Sequence, residues 1–523
     1  MPKKLLKAGI VVSIMTLISR VLGLVRDVVV AKVVGAEAAA DVFLFANKIP
    51  NFLRRLFAEG AFAQAFIPVL TEVLENENEK RQKEFIAKVS GTLGLIVFVT
   101  AILGVLASPI LTALFGFGWY LDYRQGLPEG DKFVLASTLL KITFPYIFFI
   151  SLTGFAGAIL NTMNKFAVSS FTPVLLNVSI IACAVFMMPH VSQPAFALAW
   201  GVFIGGAVQL GFQIPFLAKA GVLVKPTWGW RDKYVVKVRN LMIPALFGVS
   251  VSQINLLLDV FIASFLVTGS ISWLYYSDRL LEFPLGLFGI AIATVILPSL
   301  SKNHVSKDSK TFSSTLDWAL RIVSALGIPA GAALFVLAFP LMMVIFQRGA
   351  FTVDTAQMAS YALMAYSFGL FSFMLVKIFA PAFYSRQDTK TPVKYGIITM
   401  VVNMGFNLMF AFPFGYVGLA MATSISGTLN ALLLYNRLRI QGVYRLSRST
   451  LLFLAKVIFS ALIMALVLWW MNERVSWANI GFSRRVVELF TLIAVGGLVY
   501  IFCLLSTGVR LGHFVRSDTR ESG

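Results

Sequence analysis

The sequence predicts an all-α polytopic membrane protein, and three observations carry that prediction. Hydrophobic residues make up 58% of the 523 residues and charged residues only 13%, for a mean hydropathy of +0.83. Apolar stretches of about 20 residues, the length that crosses a ~30 Å hydrocarbon core, recur along the whole chain. The connections between them are mostly short and rich in lysine and arginine. A soluble globular domain does not have this composition.

About fourteen membrane-spanning helices are predicted. They cover residues 8–34, 39–72, 88–118, 133–156, 165–188, 195–217, 238–268, 272–300, 316–345, 354–383, 393–412, 415–437, 450–471 and 484–507. The second stretch is long and carries Pro50 in its middle, where we expect the helix to bend or break.

The first span carries two arginines, Arg20 and Arg26, inside an apolar segment. An arginine at the centre of a spanning helix costs roughly 2.5–3.5 kcal/mol, so such a residue normally faces a polar cavity. The span begins about twelve residues, or roughly 18 Å, before Arg20, which places its guanidinium too deep to reach either surface easily. Asp27 shares a helix face with Arg20, whereas Arg26 points about 120° away. These residues predict a cavity that handles an anion.

The second span carries a polar stripe at helical spacing, formed by Asp41, Lys48, Asn51, Arg55 and Glu59, with Arg54 on the adjacent face. Arg55 and Glu59 are spaced to pair. In the second half, Asp278, Arg279 and Glu282 fall within about one turn, and Lys377 is the lone charge in the interior of its span, which begins at Asp354. We expect these groups to converge on one cavity. For Asp27, Asp278 and Glu282, neutralisation of a neighbouring arginine is an equally good interpretation. Arg321 and Lys456 lie near helix ends and are predicted to snorkel.

An internal repeat divides the chain. Three landmarks recur in order, with Asp27, Pro50 and Pro68 followed 232, 234 and 230 residues later by Asp259, Pro284 and Pro298. The repeat predicts two six-helix lobes in the same orientation, with a binding site between them. The predicted domains are an N-terminal lobe (1–217), a basic cytoplasmic linker (218–237), a C-terminal lobe (238–440), and two further helices with a cytoplasmic tail (441–523).

Charge sets the predicted orientation and excludes some functions. With both termini inside, the cytoplasmic segments hold 27 lysines and arginines and the outside segments hold 7, as the positive-inside rule requires. The net charge of +20 suits anionic lipid headgroups, and no nucleic-acid-binding motif accompanies it. The two cysteines fall in predicted spans and the three histidines are scattered. The sequence therefore predicts neither a metal site nor a disulfide framework, and no cofactor.

Four segments carry a specific resemblance: SRVLGLVRD (19–27), ADVFLFANKIPNFLRRLFAEGAFAQAFIPV (40–69), SDRLLEFPLG (277–286) and APAFYSRQDTKTPVK (380–394). They closely resemble the MurJ (MviN) family of bacterial lipid II flippases, and the resemblance covers essentially the whole chain. It implies the fold of the multidrug/oligosaccharidyl-lipid/polysaccharide exporter superfamily, in which two lobes form a V-shaped cavity. The last two helices would border a groove for the polyprenyl tail.

The resemblance also implies roles for residues of this sequence. The family's important cavity positions correspond to Arg20, Arg26, Asp41, Arg54, Glu59 and Arg279. A second set also fits the pattern, with gating or pairing as plausible as substrate contact: Asp27, Lys48, Asn51, Arg55, Asp278, Glu282 and Lys377. No residue is expected to be catalytic.

The expected function is transfer of lipid II, the lipid-linked peptidoglycan precursor, from the inner to the outer leaflet of the bacterial cytoplasmic membrane by alternating access. Expected partners are lipid II, membrane lipids and cell-wall synthesis proteins. Coupling to the membrane potential or to a sodium or proton gradient stays open. A flippase for another polyprenyl-diphosphate oligosaccharide is the nearest alternative. A multidrug exporter fits less well because the cavity is cationic, and a glycosyltransferase fits poorly because no outside loop carries a catalytic motif.

Overall fold

The computed structural model describes residues 3–55, 62–290, 296, 300–301 and 309–510. Every regular element in these ranges is helical, which confirms the predicted fold class. Many large apolar side chains lie on the outer surface, among them Phe412 (91% exposed), Phe186 (73%) and Phe502 (72%). A surface of this kind suits contact with lipid rather than with water, since soluble proteins rarely expose large contiguous apolar patches.

The helices of the first half follow one another with short connections. They are α1 (Lys3–Val34), α2 (Ala38–Arg54), α3 (Phe62–Asn76), α4 (Glu79–Leu106), α5 (Ser108–Phe115), α6 (Phe117–Arg124), α7 (Asp131–Thr143), α8 (Tyr146–Thr162), α9 (Phe166–Phe186), α10 (Pro194–Lys219) and α11 (Lys233–Ala263). The second half continues with α12 (Ser270–Pro284), a π-helix (Leu285–Ile290), α13 (Ser309–Val336), α14 (Ala338–Ile345), α15 (Val353–Tyr384), α16 (Lys390–Ile440), α17 (Arg448–Asn472) and α18 (Phe482–Ser506).

Nine helices within the described ranges are long and apolar enough to cross a membrane. The predicted number of fourteen spans stays a prediction. Two predicted spans, 393–412 and 415–437, fall within the continuous stretch α16, whose backbone turns at Gly415 with φ +57° and ψ −138°. Side chains other than glycine rarely adopt this conformation, so glycine allows the turn between two helical runs.

Of the two outcomes predicted at Pro50, the break is wrong, because α2 continues through Pro50 to Arg54, and the bend stays a prediction. The long second stretch nevertheless corresponds to two described helices, α2 and α3, and residues 56–61 lie outside the described ranges.

Contacts group the chain into two compact units. Unit 1 contains Met1–Ile271 with Arg348–Phe351, and unit 2 contains Ser272–Gln347 with Thr352–Gly523. Helix α11 therefore shares its contacts with the helices of the first half. The predicted lobe boundaries at residues 217 and 238 stay a prediction.

Unit 1 has an aromatic core where α11 begins. The Phe66 ring lies 5.9 Å from Phe85 and 5.1 Å from Phe155, and Phe85 lies 5.8 Å from Tyr234 on α11. Polar contacts surround this core, because Asp232 accepts hydrogen bonds from Arg81 (2.8 Å) and Lys88 (3.0 Å) of α4. Asp232 also caps α11 by accepting from the backbone N–H of Tyr234 at 3.0 Å. The start of α11 is therefore attached to α3, α4 and α8.

Unit 2 holds its last two helices through α13. Arg321 of α13 donates to Ser449 (2.9 Å) and Thr450 (3.0 Å) at the start of α17, and the Tyr500 hydroxyl of α18 donates to the Ala325 carbonyl at 2.8 Å. Neighbouring hydroxyl groups therefore bind the half-buried guanidinium of Arg321, and the snorkelling predicted for this residue stays a prediction. Lys456 is half-buried. Its Nζ lies near Gly508, the second residue after the end of α18, at 3.8 Å from the position that a Cβ on this glycine would take.

Candidate functional site

Arg26 and Asp27 form a tight pair on α1. The guanidinium of Arg26 donates to Asp27 Oδ1 from Nη2 at 2.7 Å and from Nε at 3.0 Å. The Asp27 side chain is 1% exposed and that of Arg26 is 18% exposed. Two donors on one carboxylate oxygen form a charge-assisted contact that fixes the guanidinium plane. The pairing interpretation of Asp27 therefore has a direct structural basis.

A third residue completes this group from another helix. Arg26 Nη1 donates to Asn177 Oδ1 of α9 at 3.0 Å, and Asn177 Nδ2 donates to the Ser19 carbonyl of α1 at 3.2 Å. Asn177 therefore bridges Arg26 and the backbone carbonyl of the residue immediately before Arg20. The sequence analysis missed Asn177, although it is the only amide side chain in residues 166–186, and a lone buried amide in a spanning helix is a signal of an interhelical contact.

Arg20 differs from Arg26 although both lie on α1. Its side chain is exposed, and within the described part of the chain it makes no hydrogen bond or ion pair. A guanidinium that is not bound to a carboxylate can donate two parallel hydrogen bonds to a phosphate. Of the two arginines of α1, Arg20 is thus the one available to an anionic ligand, whereas Arg26 is bound by Asp27 and Asn177.

The polar stripe of α2 becomes more exposed along the helix. Asp41 is buried, Lys48 and Asn51 are half-buried, and Arg55 is exposed. Arg54 is the last residue of α2. Glu59 lies outside the described ranges, and so does its predicted pairing with Arg55. The structure therefore supports a stripe that opens toward the end of α2.

Asp41 has a partner in the turn between α11 and α12. It is 2% exposed, and its Oδ2 accepts a hydrogen bond from the backbone N–H of Gly269 at 2.6 Å. Two more contacts reach the same turn, from the Gly118 N–H to Ser264 Oγ at 3.1 Å and from Lys132 Nζ to Thr268 Oγ1 at 2.7 Å. These contacts attach α2 to the turn before α12 within unit 1, and the predicted contact of Asp41 with substrate stays a prediction.

A second backbone contact of unit 1 lies at the end of α1. The Ala350 N–H donates to the Lys32 carbonyl at 3.0 Å. A Cβ on Gly35 would lie 2.6 Å from the Ala350 carbonyl oxygen, and Gly35 has φ +66°. This close backbone approach requires glycine. Sequence reasoning missed it, because nothing in local periodicity indicates that residues 315 positions apart touch.

Unit 2 contributes a looser set of charges. Arg279 Nη1 lies 3.2 Å from Glu282 Oε2, and the two side chains are 28% and 54% exposed. Asp278 is exposed. Lys377 of α15 is also exposed and makes no hydrogen bond or ion pair to any residue that the structure describes. Arg279 is therefore partly neutralised by its own helix, whereas Lys377 is not.

Comparison with known proteins decides the family. Residues 30–488 match the family model described as lipid II flippase MurJ. The chain is 61% identical over 510 residues to a protein of Vibrio cholerae serotype O1 named "Probable lipid II flippase MurJ", covering 97% of each chain. The chain belongs to the MurJ family. This confirms the resemblance read from the four sequence segments.

Solved structures agree with the assignment to the MurJ family. A structure titled "Lipid II flippase MurJ, inward closed conformation" matches with a TM-score of 0.78 and 29% identity, covering 94% of this chain and 98% of that one. An inward-facing multidrug resistance MATE family transporter of the MOP superfamily matches with a TM-score of 0.66 at 14% identity, covering 83% and 98%. The second match shows a shared fold alone.

Proposed function

We infer that this protein is a flippase that moves lipid II across the membrane. The observation that carries this inference is the match to the MurJ family over residues 30–488, together with a relative of that name at 61% identity over nearly the full length. The helices that could span a membrane supply the necessary architecture. The same reasoning makes the protein a carrier that forms and breaks no covalent bond, and hence not an enzyme.

The diphosphate of the substrate is the group that the predicted cations would bind. Arg20 is the strongest candidate in unit 1, because it is exposed on a spanning helix and has no partner among the described residues. Arg26 keeps a fixed guanidinium plane through Asp27 and Asn177, so it would add a positioned charge at little entropic cost. Arg54, and Arg279 and Lys377 in unit 2, are the further cations that we propose to contact substrate during the cycle.

The acidic groups have a different proposed role. Asp41 accepts a hydrogen bond from the turn before α12, and Glu282 lies beside Arg279. We propose that Asp41 and Glu59 contact the substrate headgroup, as the family resemblance implies, and that Asp27 and Glu282 position the neighbouring arginines. Lys48, Asn51, Arg55 and Asp278 belong to the same gating or pairing set.

The proposed location is the bacterial cytoplasmic membrane with both termini in the cytoplasm, as the distribution of basic residues indicates. A carrier with a cationic cavity responds to the membrane potential at about 2.3 kcal/mol per charge per 100 mV. We therefore propose that the potential helps to return the empty carrier, with a sodium or proton gradient as the alternative. Contact with cell-wall synthesis proteins is proposed because they consume the product outside.

Reconstitution into vesicles tests the function. The purified protein should move lipid II from one leaflet to the other under an imposed potential, and it should not move a polyprenyl lipid that lacks the diphosphate-linked sugar. Protein-free vesicles give the background. Equal transport of a different polyprenyl-diphosphate oligosaccharide would support the nearest alternative. Transport of neither lipid, under a potential or an ion gradient, would contradict the proposal.

A further inference from the structure

An apolar groove lies on unit 1, far along the chain from the arginines of α1. It has a volume of about 430 Å³ and is lined by α4, α8, α10 and the linker that follows α10. Its walls include Phe98, Leu152, Ile214 and Leu223. Gly94 also lines the groove, and a Cβ added there would have one neighbour within 4 Å, the Leu152 side chain at 3.9 Å. The volume is in the range of small-molecule and lipid sites. None of the residues proposed above to contact the substrate lines this groove.

The linker wall of this groove is fixed by backbone hydrogen bonds. The Thr227 N–H donates to the Ala87 carbonyl of α4 at 2.9 Å, and the Gly229 N–H donates to Thr92 Oγ1 at 3.0 Å. A Cβ on Gly91 would lie 2.2 Å from the Thr227 carbonyl oxygen, so glycine permits this approach. The groove is therefore preformed, and its occupant would not have to order the linker.

The linker also carries the chemistry of a membrane interface. Trp228 and Trp230 are 57% and 40% exposed, and their rings stack with centroids 5.9 Å apart. Tryptophans are enriched at the level of lipid headgroups. Lys219 and Lys225 are exposed on either side of the groove-lining residues 222–224. Cations beside an apolar groove at this level attract anionic phospholipids of the cytoplasmic leaflet.

We propose that this groove binds one acyl chain of an anionic phospholipid, whose phosphate contacts Lys225 and Lys219 while its chain lies against α4, α8 and α10. The assignment to the cytoplasmic leaflet rests on the orientation given under the proposed function. The bound lipid would anchor the linker that leads into α11. Because anionic phospholipids give the cytoplasmic leaflet its negative surface potential, a phospholipid is the occupant that the lysines and tryptophans of this linker favour.

Lipid retention in native mass spectrometry tests the proposal, with phosphatidylglycerol and phosphatidylcholine of equal chain length as probes. Gly94→Leu projects a side chain into the groove and should retain phosphatidylglycerol at least about fivefold less well than wild type, a change of about 1 kcal/mol in binding free energy. Gly497→Leu is the matched control, since a Cβ there meets nothing within 4 Å. Leu223→Asp, on an exposed linker residue, tests the same groove without crowding the helices.

Lys225→Gln tests the headgroup contact. It should abolish the preference for phosphatidylglycerol over phosphatidylcholine. Equal phosphatidylglycerol retention by Gly94→Leu, Leu223→Asp and Gly497→Leu would overturn the proposal, and so would displacement of the phospholipid by undecaprenyl phosphate at equal concentration. Because retention is measured without transport, these outcomes are independent of whether vesicles show lipid II movement.

Discussion

The two predicted copies of the internal repeat keep the same helical framework but carry different charges. At a spacing of 232 residues, Asp27 aligns with Asp259, whereas Arg20 and Arg26 align with Ser252 and Leu258. The two copies share a backbone feature in addition to the recurring prolines. In the first copy, Arg55, directly after α2, is π-helical. In the second copy, the π-helix Leu285–Ile290 follows α12, and it contains the position that lies 234 residues after Arg55.

This difference separates what the fold needs from what the substrate needs. The aspartate and the π-helical irregularity recur in both copies, so they belong to the framework. The arginines of α1 occur in one copy only, and spanning arginines are too costly to keep without a use. The predicted repeat therefore carries an unequal set of cations, with the spanning arginines of α1 in the first copy only.

The largest expected effect is the loss of Arg20. Arg20→Ala should reduce lipid II transport in vesicles to the protein-free background, because it removes an exposed cation that no described residue neutralises. Ser252→Ala, at the aligned position of the second copy, should transport like wild type. Lys456→Ala, a cation outside both copies, is a second control. Normal transport by Arg20→Ala would show that the first copy's arginines are not the substrate contacts.

The sequence was sufficient for the parts of this comparison that depend on local patterns. Helices such as α15 and α17 follow from apolar runs of spanning length, and the cost of a charge in the membrane is enough to single out Arg20. The repeat is visible because aspartate and proline recur at nearly constant spacing. None of these inferences requires knowledge of which helices touch.

The parts that sequence reasoning missed all depend on contacts between distant segments. Asn177 binds Arg26 across 151 positions, and Arg321 donates hydrogen bonds to Ser449 and Thr450, which lie on another helix. Local periodicity gives the face of a residue but not the partner on the facing helix. The continuity of α2 through Pro50 was missed for a related reason, because neighbouring groups in a helical bundle can compensate for the hydrogen bond that proline cannot make.

Arg279 tests whether the second copy also contributes to the substrate. A hydrogen bond from a charged group is worth about 1.5–3 kcal/mol. If Arg279 makes such a contact with the substrate, Arg279→Ala should lower transport by roughly tenfold or more. Glu282→Gln keeps the arginine and removes only its partner, so transport should stay near the wild-type rate. If Arg279→Ala and Glu282→Gln behave alike, the pair acts as a unit and the arginine is not a separate substrate contact.

The same two copies predict a difference in stability. Asp27→Asn removes the charge from a buried partner of Arg26 and should lower the free energy of unfolding by about 1.5–3 kcal/mol. Glu282→Gln, the comparable change in the second copy, removes a pair whose carboxylate is 54% exposed and should cost less than about 1 kcal/mol. Denaturant titration in detergent micelles measures both. A larger cost for Glu282→Gln would mean that the pair of Arg279 and Glu282, and not the buried pair of Arg26 and Asp27, stabilises the fold.

The smallest expected effect is a change in the pH dependence of stability at Asp232, which caps the start of α11. Burial alone would raise the pKa of Asp232, but hydrogen bonds from Lys88 and Arg81 outweigh it and lower that pKa below its usual range. A lowered folded-state pKa stabilises the protein above the ordinary carboxyl value of about 3.9, and the contribution is lost as the pH falls through the folded value.

Thermal unfolding between pH 6 and pH 3 should therefore show a steeper loss for wild type than for Asp232→Asn, with a difference of about 1 kcal/mol at neutral pH. The effect is modest because Arg81 and Lys88 remain about a quarter exposed, so water replaces part of what the carboxylate provides. Lys83→Ala, which removes a more exposed pair with Glu79 on the same helix, is the matched control and should change the pH profile less than Asp232→Asn does. An identical profile for Asp232→Asn would mean that the aromatic core of unit 1, and not this charge cluster, attaches α11.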